Sequence, residues 1–328
     1  MNKLIKPLIL LIILVALVLM VHYIGTDRSR PDADVTFQVK LDQEQIERVE
    51  ISRGEAQVTL LYGVNGWSVR TPFGIKPAET ETIVASLKDL TAIDNARLVS
   101  HNPEKQPEYR VDEAGGTRVK FLGSGDKVLA DLVIGKLGGF QQQQQAMMGR
   151  TGINPQALHT FMRHAGSDRV FKVQGFFATI TGTEYDQWRD HNLCTFSADQ
   201  VRKLSLAYED ETVVLEPDTA GSWSMLEPKT AVADPDTAGQ IVRSLGTLRA
   251  DGFQDSTMTD EELGFDSPLC RIAVELSEGP EVALEIGREF KDDFFYARKV
   301  GDPQVYTLAG YRIDQIMKRS WEIIAAEE

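Results

Sequence analysis

The chain begins with one long apolar run and then settles into short alternating segments. From Leu8 to Val21 no polar side chain interrupts it. With Ile5, Tyr23 and Ile24 added, the span Leu4 to Ile24 reaches the ~20 residues needed to cross a ~30 Å hydrocarbon core. The flank His22-Tyr23-Ile24-Gly25-Thr26-Asp27 carries no small-residue cleavage site, which favours a retained anchor over a cleaved signal. Lys3 and Lys6 precede the uninterrupted run, with no acid before it. The positive-inside rule then keeps the short N-terminus in the cytoplasm and sends the bulk of the chain to the other side. The expected organisation is a tip and transmembrane anchor over 1–25, a linker over 26–39, and about 300 residues of folded chain.

That folded part reads as one unit written twice, with a period near 155 residues, too long for a solenoid repeat. Gln45 to Ile51 and Gln200 to Leu206 both alternate apolar and polar residues, as half-buried strands do. Val58 to Leu61 is matched by Val213 to Leu215. Gly66-Trp67-Ser68-Val69 is matched by Ser222-Trp223-Ser224-Met225, and Pro72 and Pro228 follow. Amphipathic helices come next, over Ala78 to Leu90 and Asp234 to Leu248. Ile83, Val84, Leu87 and Leu90 form one apolar face, and Ile241, Val242, Leu245 and Leu248 the other. Asp234 before Pro235 predicts an N-cap with proline at the first helical position.

Tyr109-Arg110-Val111-Asp112 then aligns with Leu263-Gly264-Phe265-Asp266. Strands Arg118 to Phe121 and Val128 to Ile134 align with Arg271 to Leu276 and Val282 to Ile286, ending at Gly135 and Gly287. A last hairpin starts at Phe161-Met162-Arg163 and at Tyr296-Ala297-Arg298. Each copy closes with a helix, Gly175 to Trp188 and Gly310 to Trp321. The predicted fold class is α+β, an N-terminal transmembrane helix followed by two tandem antiparallel sheet-plus-helices units, 40–193 and 194–328. The first copy alone carries an insertion over 137–157, with Gln141 to Gln145 at its centre. Such a loop is either disordered or functional; if functional, Phe140, Met147 and Met148 are what a partner would grip.

The Trp-x-x-x-x-Pro strand at Trp223 to Pro228, the helix Ile241 to Leu248, Gly264-Phe265-Asp266 and the strand end Ile286-Gly287 resemble the DUF4340 family. The resemblance runs over about residues 40 to 322 and is clearer in the second copy. Members are typically bacterial, have one N-terminal membrane helix, and are often associated with gliding-motility-type ABC export systems. The resemblance therefore implies an inner-membrane, single-pass protein with a periplasmic domain, and protein partners such as an ABC permease and a GldG-like subunit. The family has no assigned function and contributes no catalytic residues. The glutamine-rich insertion departs from its pattern.

Composition narrows the function. With 35 basic and 49 acidic residues the formal charge is −14, which disfavours nucleic-acid binding, since phosphates need a cationic surface. The two cysteines, Cys194 and Cys270, either form one bridge or stay as separate buried thiols. No nucleophile elbow, zinc-binding helix motif or phosphate loop is present, and nothing calls for a metal or cofactor. His159 and His164 are the closest histidine pair but fall on opposite strand faces. Gly135 and Gly138-Gly139 read as turn glycines. Asp260, Glu261 and Glu262 after Thr259 read as the acidic start of a helix. Asp112, Asp266, Trp67 and Trp223 recur at equivalent places and read as structural, with an Asp–Arg contact involving Arg163 or Arg298 open in each copy.

The expected function is a non-enzymatic, membrane-anchored periplasmic accessory protein that docks onto a membrane complex. The alternative is a module binding an envelope polysaccharide, lipid or peptide in a cleft between the copies. An envelope hydrolase is a third class.

Overall fold

The computed structural model describes residues 37–139, 158–218 and 221–325. Two nine-stranded antiparallel sheets carry the chain. The first is built from β1 (Arg48–Arg53), β2 (Ala56–Gly63), β3 (Gly66–Thr71), β4 (Gly74–Pro77), β5 (Ala96–Ser100), β6 (Thr117–Leu122), β7 (Val128–Gly138), β8 (His159–His164) and β9 (Val170–Gln174). The second is built from β10 (Val201–Ala207), β11 (Thr212–Pro217), β12 (Trp223–Glu227), β13 (Ala231–Val232), β14 (Gly252–Gln254), β15 (Cys270–Leu276), β16 (Val282–Lys291), β17 (Phe294–Lys299) and β18 (Val305–Ala309). Their orders, β4-β3-β2-β1-β6-β7-β8-β9-β5 and β13-β12-β11-β10-β15-β16-β17-β18-β14, are the same order displaced by nine strands. The internal repeat is thus a repeat of topology. The described residues fall into two compact units. One takes in the chain up to Trp67 with Thr80–Glu184, the other Ser68–Glu79 with the chain from Tyr185 onward.

The strands follow side-chain alternation. Val49 and Ile51 in β1 are fully buried while their neighbours are not, as a strand with one covered face requires. In β10 the buried positions are Val201, Leu204 and Leu206. A bulge between Val201 and Lys203 supplies the change of phase. Sequence periodicity missed β4, β5, β13 and β14, each of two to five residues, because so few residues carry no readable period.

The first long helix is Thr80–Thr91 and the second Pro235–Gly246. Asp234 caps the second, its carboxylate accepting from the Thr237 N–H at 2.8 Å. The buried stripes are Ile83, Ser86, Leu87, Leu90 and Ala238, Ile241, Val242, Leu245. These correspond at a constant offset of 155, so Ile83 matches Ala238 and not Ile241, and Val84 is 40 % exposed. Matching by sequence alone pairs the longest aliphatics. The fold pairs the i, i+3, i+4, i+7 face, which tolerates a serine on one side and an alanine on the other.

The predicted closing helices are broken. Thr179–Thr181 and Tyr185–Trp188 are short 3-10 turns, and Gly310–Ile316 and Ser320–Ile323 are separate short helices. Each copy ends by pairing back onto its short edge strand. The Glu79 N–H donates to the Trp188 carbonyl at 2.9 Å and Asp190 to Pro77 at 2.9 Å; Asp234 donates to Ile323 at 2.6 Å and Ala325 to Val232 at 3.1 Å. These bonds blunt edges that would otherwise be open to pairing.

The expected single-pass topology does not appear in the described fold. Among the described residues no helix is long and apolar enough to cross a membrane. The two long helices have twelve residues each, about 18 Å at 1.5 Å per residue, against a ~30 Å core. The segment Leu4 to Ile24, on which the anchor rested, lies outside the described residues. The inner-membrane and periplasmic localisation, the docking onto a membrane complex, the membrane itself as a partner and the envelope placement of the ligand-binding alternative thus have no spanning helix among the described residues to rest on. Phe140, Met147 and Met148 also lie outside the described residues.

Candidate functional site

A polar hollow of about 930 Å³ opens in the first unit, with Gln106, Asp112, Glu113, Arg118, Arg163 and Asp168 among its lining residues. Its shape comes from a close backbone crossing. The short helix Gln106–Tyr109 ends at Arg110, which is left-handed at φ 55°, and the chain then passes directly over β7. A Cβ on Gly135 would collide with the Tyr109 carbonyl oxygen and the Val111 side chain. Gly135 is therefore a close-approach glycine inside a bulged strand and not the turn glycine its neighbours suggested.

Arg163, on β8, is 8 % exposed. Its Nε donates to the Val111 carbonyl at 2.6 Å, and its Nη1 to the His164 and Ser167 carbonyls, both at 3.4 Å. Burial lowers its pKa, only partly opposed by the field of Asp168, Glu113 and Asp112. A guanidinium nonetheless stays charged in a protein. Among the described residues Arg163 has no carboxylate in contact, and its Nη2 makes no hydrogen bond. Arg118 is held by Asp131 through two bonds of 2.8 and 2.6 Å. The Gln106 amide turns away to Asp168, at 3.2 Å.

The second unit answers this site residue for residue. Glu285 pairs with Arg298 across β16 and β17 as Val133 pairs with Arg163 across β7 and β8. The short helix Asp260–Leu263 ends at left-handed Gly264 as Gln106–Tyr109 ends at Arg110, so Asp260 stands where Gln106 does. There the arginine is quenched. Its Nε donates to Glu285 at 2.7 Å, and Nη1 and Nη2 grip the two Asp260 oxygens at 2.9 and 3.0 Å. Its guanidinium carbon lies 4.2 Å from the centre of the Phe265 ring. Burial presses the Arg298 pKa down, but the bonds to Asp260 and Glu285 carry it above the ordinary arginine value. Replacing those two carboxylates by Gln106 and Val133 leaves Arg163 as the unquenched member of the pair.

The other residues singled out from sequence lie elsewhere. Trp67 and Trp223 are buried, 5 % and 8 % exposed. Asp112 lines the hollow, whereas Asp266 is exposed. The aspartate that meets Arg298 is Asp260. Glu262 and Thr259 form a reciprocal capping box beside it. Cys194 and Cys270 are both free and buried, and burial pushes each thiol up to about 12. Both ring nitrogens of His191 lie within 3.0 Å of backbone carbonyls, those of Ala250 and Asp186. Desolvation lowers the pKa of His164. No group of three or more His, Cys, Asp or Glu is placed to hold a metal among the described residues.

Sequence reading missed an ion cluster in the second unit. Arg189, 1 % exposed, grips Asp255 at 2.5 and 3.0 Å, donates to Gln304 at 2.9 Å and stacks 3.6 Å from the Phe253 ring centre. Lys76 joins it through Gln304 at 2.9 Å and Asp255 at 3.7 Å. No sequence period brings these residues together. The Arg163 site did leave a signal: aligning Ile134-Gly135 with Ile286-Gly287 places Val133 opposite Glu285.

Residues 150–268 match the model of a domain of unknown function, DUF4340. The match straddles the end of the first copy and the start of the second, and is narrower than the span of the resemblance. It includes Trp223 to Pro228 and Gly264-Phe265-Asp266 but not Ile286-Gly287. It gives no support to an association with gliding motility or ABC export. No curated protein and no solved structure matches the chain.

Proposed function

We propose that the chain is a non-enzymatic binding module made of two copies of one antiparallel unit. The second copy is closed by its own ion pairs; the first is open and holds a ligand through Arg163. The observation that carries this reading is the buried, unquenched Arg163 lining a hollow whose counterpart arginine is filled by Asp260 and Glu285. A buried cation with no carboxylate in contact is only partly compensated by the more distant Asp168, Glu113 and Asp112, and a carboxylate on a ligand supplies the missing contact. The non-enzymatic part is supported by the state of the two thiols: raised to about 12 by burial, they are poor nucleophiles at neutral pH.

The test is to purify the full chain, denature it, and identify by mass spectrometry any small molecule it retained. The expected result is about one molecule per chain, lost in Arg163→Ala and recovered unaltered after prolonged incubation with fresh protein. Chemical conversion of the molecule would overturn the non-enzymatic reading, and retention undiminished in Arg163→Ala would remove the site.

A further inference from the structure

We propose that the ligand of the first unit is a small zwitterion of the amino-acid class, its carboxylate gripped by Arg163 in the place that Asp260 takes on Arg298. This rests on the reading of Arg163 as a binding group and adds what is bound. The second copy is the template. There the fork of Nη1 and Nη2 is filled by a carboxylate at 2.9 and 3.0 Å, the bidentate geometry that suits a guanidinium best. In the first copy Gln106 occupies the Asp260 station and directs its amide to Asp168. Arg163 lines the hollow, and its Nη2 makes no hydrogen bond among the described residues.

The rest of the rim selects against a simple anion. Asp112, Glu113 and Asp168 all line the hollow, and all three act on Arg163 through space without reaching it. Among the described residues Asp112 and Glu113 have no ion-pair partner, and Asp168 accepts only from the Gln106 amide. A dianionic phosphate would bring its charge against three carboxylates. A ligand carrying one carboxylate and one ammonium places the first on Arg163 and offers the second to the carboxylates that line the same hollow. The chain's formal charge of −14 also repels pure anions at long range but is nearly indifferent to a zwitterion.

The test uses the full chain and isothermal titration with glycine, alanine and lysine, with propionate and methylammonium as half-ligands and inorganic phosphate as the competing chemistry. At least one amino acid is expected to bind tenfold or more tightly than propionate, methylammonium or phosphate. Gln106→Asp, which installs the second copy's own carboxylate, is expected to weaken that binding at least tenfold while raising the unfolding midpoint. The gain in stability separates a filled site from a damaged fold. Phosphate binding that Gln106→Asp abolishes, without amino-acid binding, would overturn the zwitterion and leave the Arg163 site standing. Propionate binding as tightly as the amino acids would do the same. Amino-acid binding unchanged by Gln106→Asp would move the ligand away from Arg163 and overturn both readings. Absence of binding by every probe would overturn the zwitterion, while the retained-molecule experiment continues to decide the site.

Discussion

At the scale of single residues, two glycines and two thiols have sharp consequences. A Cβ on Gly287 would meet the Leu263 carbonyl oxygen, as one on Gly135 would meet that of Tyr109. In both places the obstacle is backbone, which cannot rotate away. Gly287→Ala is expected to cost about 1–3 kcal/mol, the usual penalty for overpacking, read as a lower urea midpoint with an unchanged slope. Cys194 and Cys270, raised to about 12 by burial, have almost no thiolate at pH 8. Iodoacetamide should leave both unmodified in the native chain at that pH and label both once the chain is unfolded in urea. Rapid native labelling of either would contradict the burial.

At the scale of elements, the helix start Asp234 and its counterpart Glu79 have taken different work. Asp234 caps its helix through Thr237, and Asp234→Ala should cost about 1 kcal/mol in a denaturant titration. Glu79 gives both oxygens to Arg249, at 2.7 and 2.6 Å. The bond from Arg249 lowers the Glu79 pKa, opposed by desolvation. Asp255 is also lowered, its burial outweighed by Arg189 and Lys76. Both carboxylates are depressed in the folded state, so the unfolded chain binds more protons in acid. Their stabilisation is complete above the unfolded carboxylate range near pH 4 and is lost as pH falls through the depressed folded values. Unfolding free energy should therefore drop on acidification from about pH 5 to 2. Arg189→Met should flatten part of that drop and, by leaving Asp255 with only Lys76 at 3.7 Å as its ion-pair partner, cost up to about 3–5 kcal/mol at pH 7, the upper end being the cost of a fully uncompensated buried charge. A slope unchanged by Arg189→Met would mean the pair is not what titrates.

At the scale of the whole molecule, the two copies are the same strand order with opposite treatments of one arginine. This makes stoichiometry a prediction. Converting the second site to the first, with Asp260→Gln and Glu285→Val, should lower stability by about 1–3 kcal/mol through lost charged hydrogen bonds. It should also raise the ligand equivalents bound in a titration from one per chain to two. A stoichiometry that stays at one would mean that an unquenched arginine at this station is not enough to bind.

Much of this architecture was legible in the amino-acid order. The alternating strands, expected at 45–51 and 200–206 and found at Arg48–Arg53 and Val201–Ala207, and the Asp234-Pro235 helix start are local events, decided by side-chain period and backbone preference over a few residues. The recurrence of Arg163 at Arg298 was also visible. Tertiary structure alone decided which carboxylate each arginine meets, because Asp260 is 38 residues from Arg298 in the chain and Glu285 is 13. It also decided that Arg189 is buried against Asp255, 66 residues away. A period reports which face a residue takes within its own element. Charge partners depend on the register between elements, and Asp266 was the nearer-looking candidate until the strands were paired. Gly135 and Gly287 belong to the same class: nothing local requires glycine inside a strand, and the requirement comes from another stretch of backbone crossing above it.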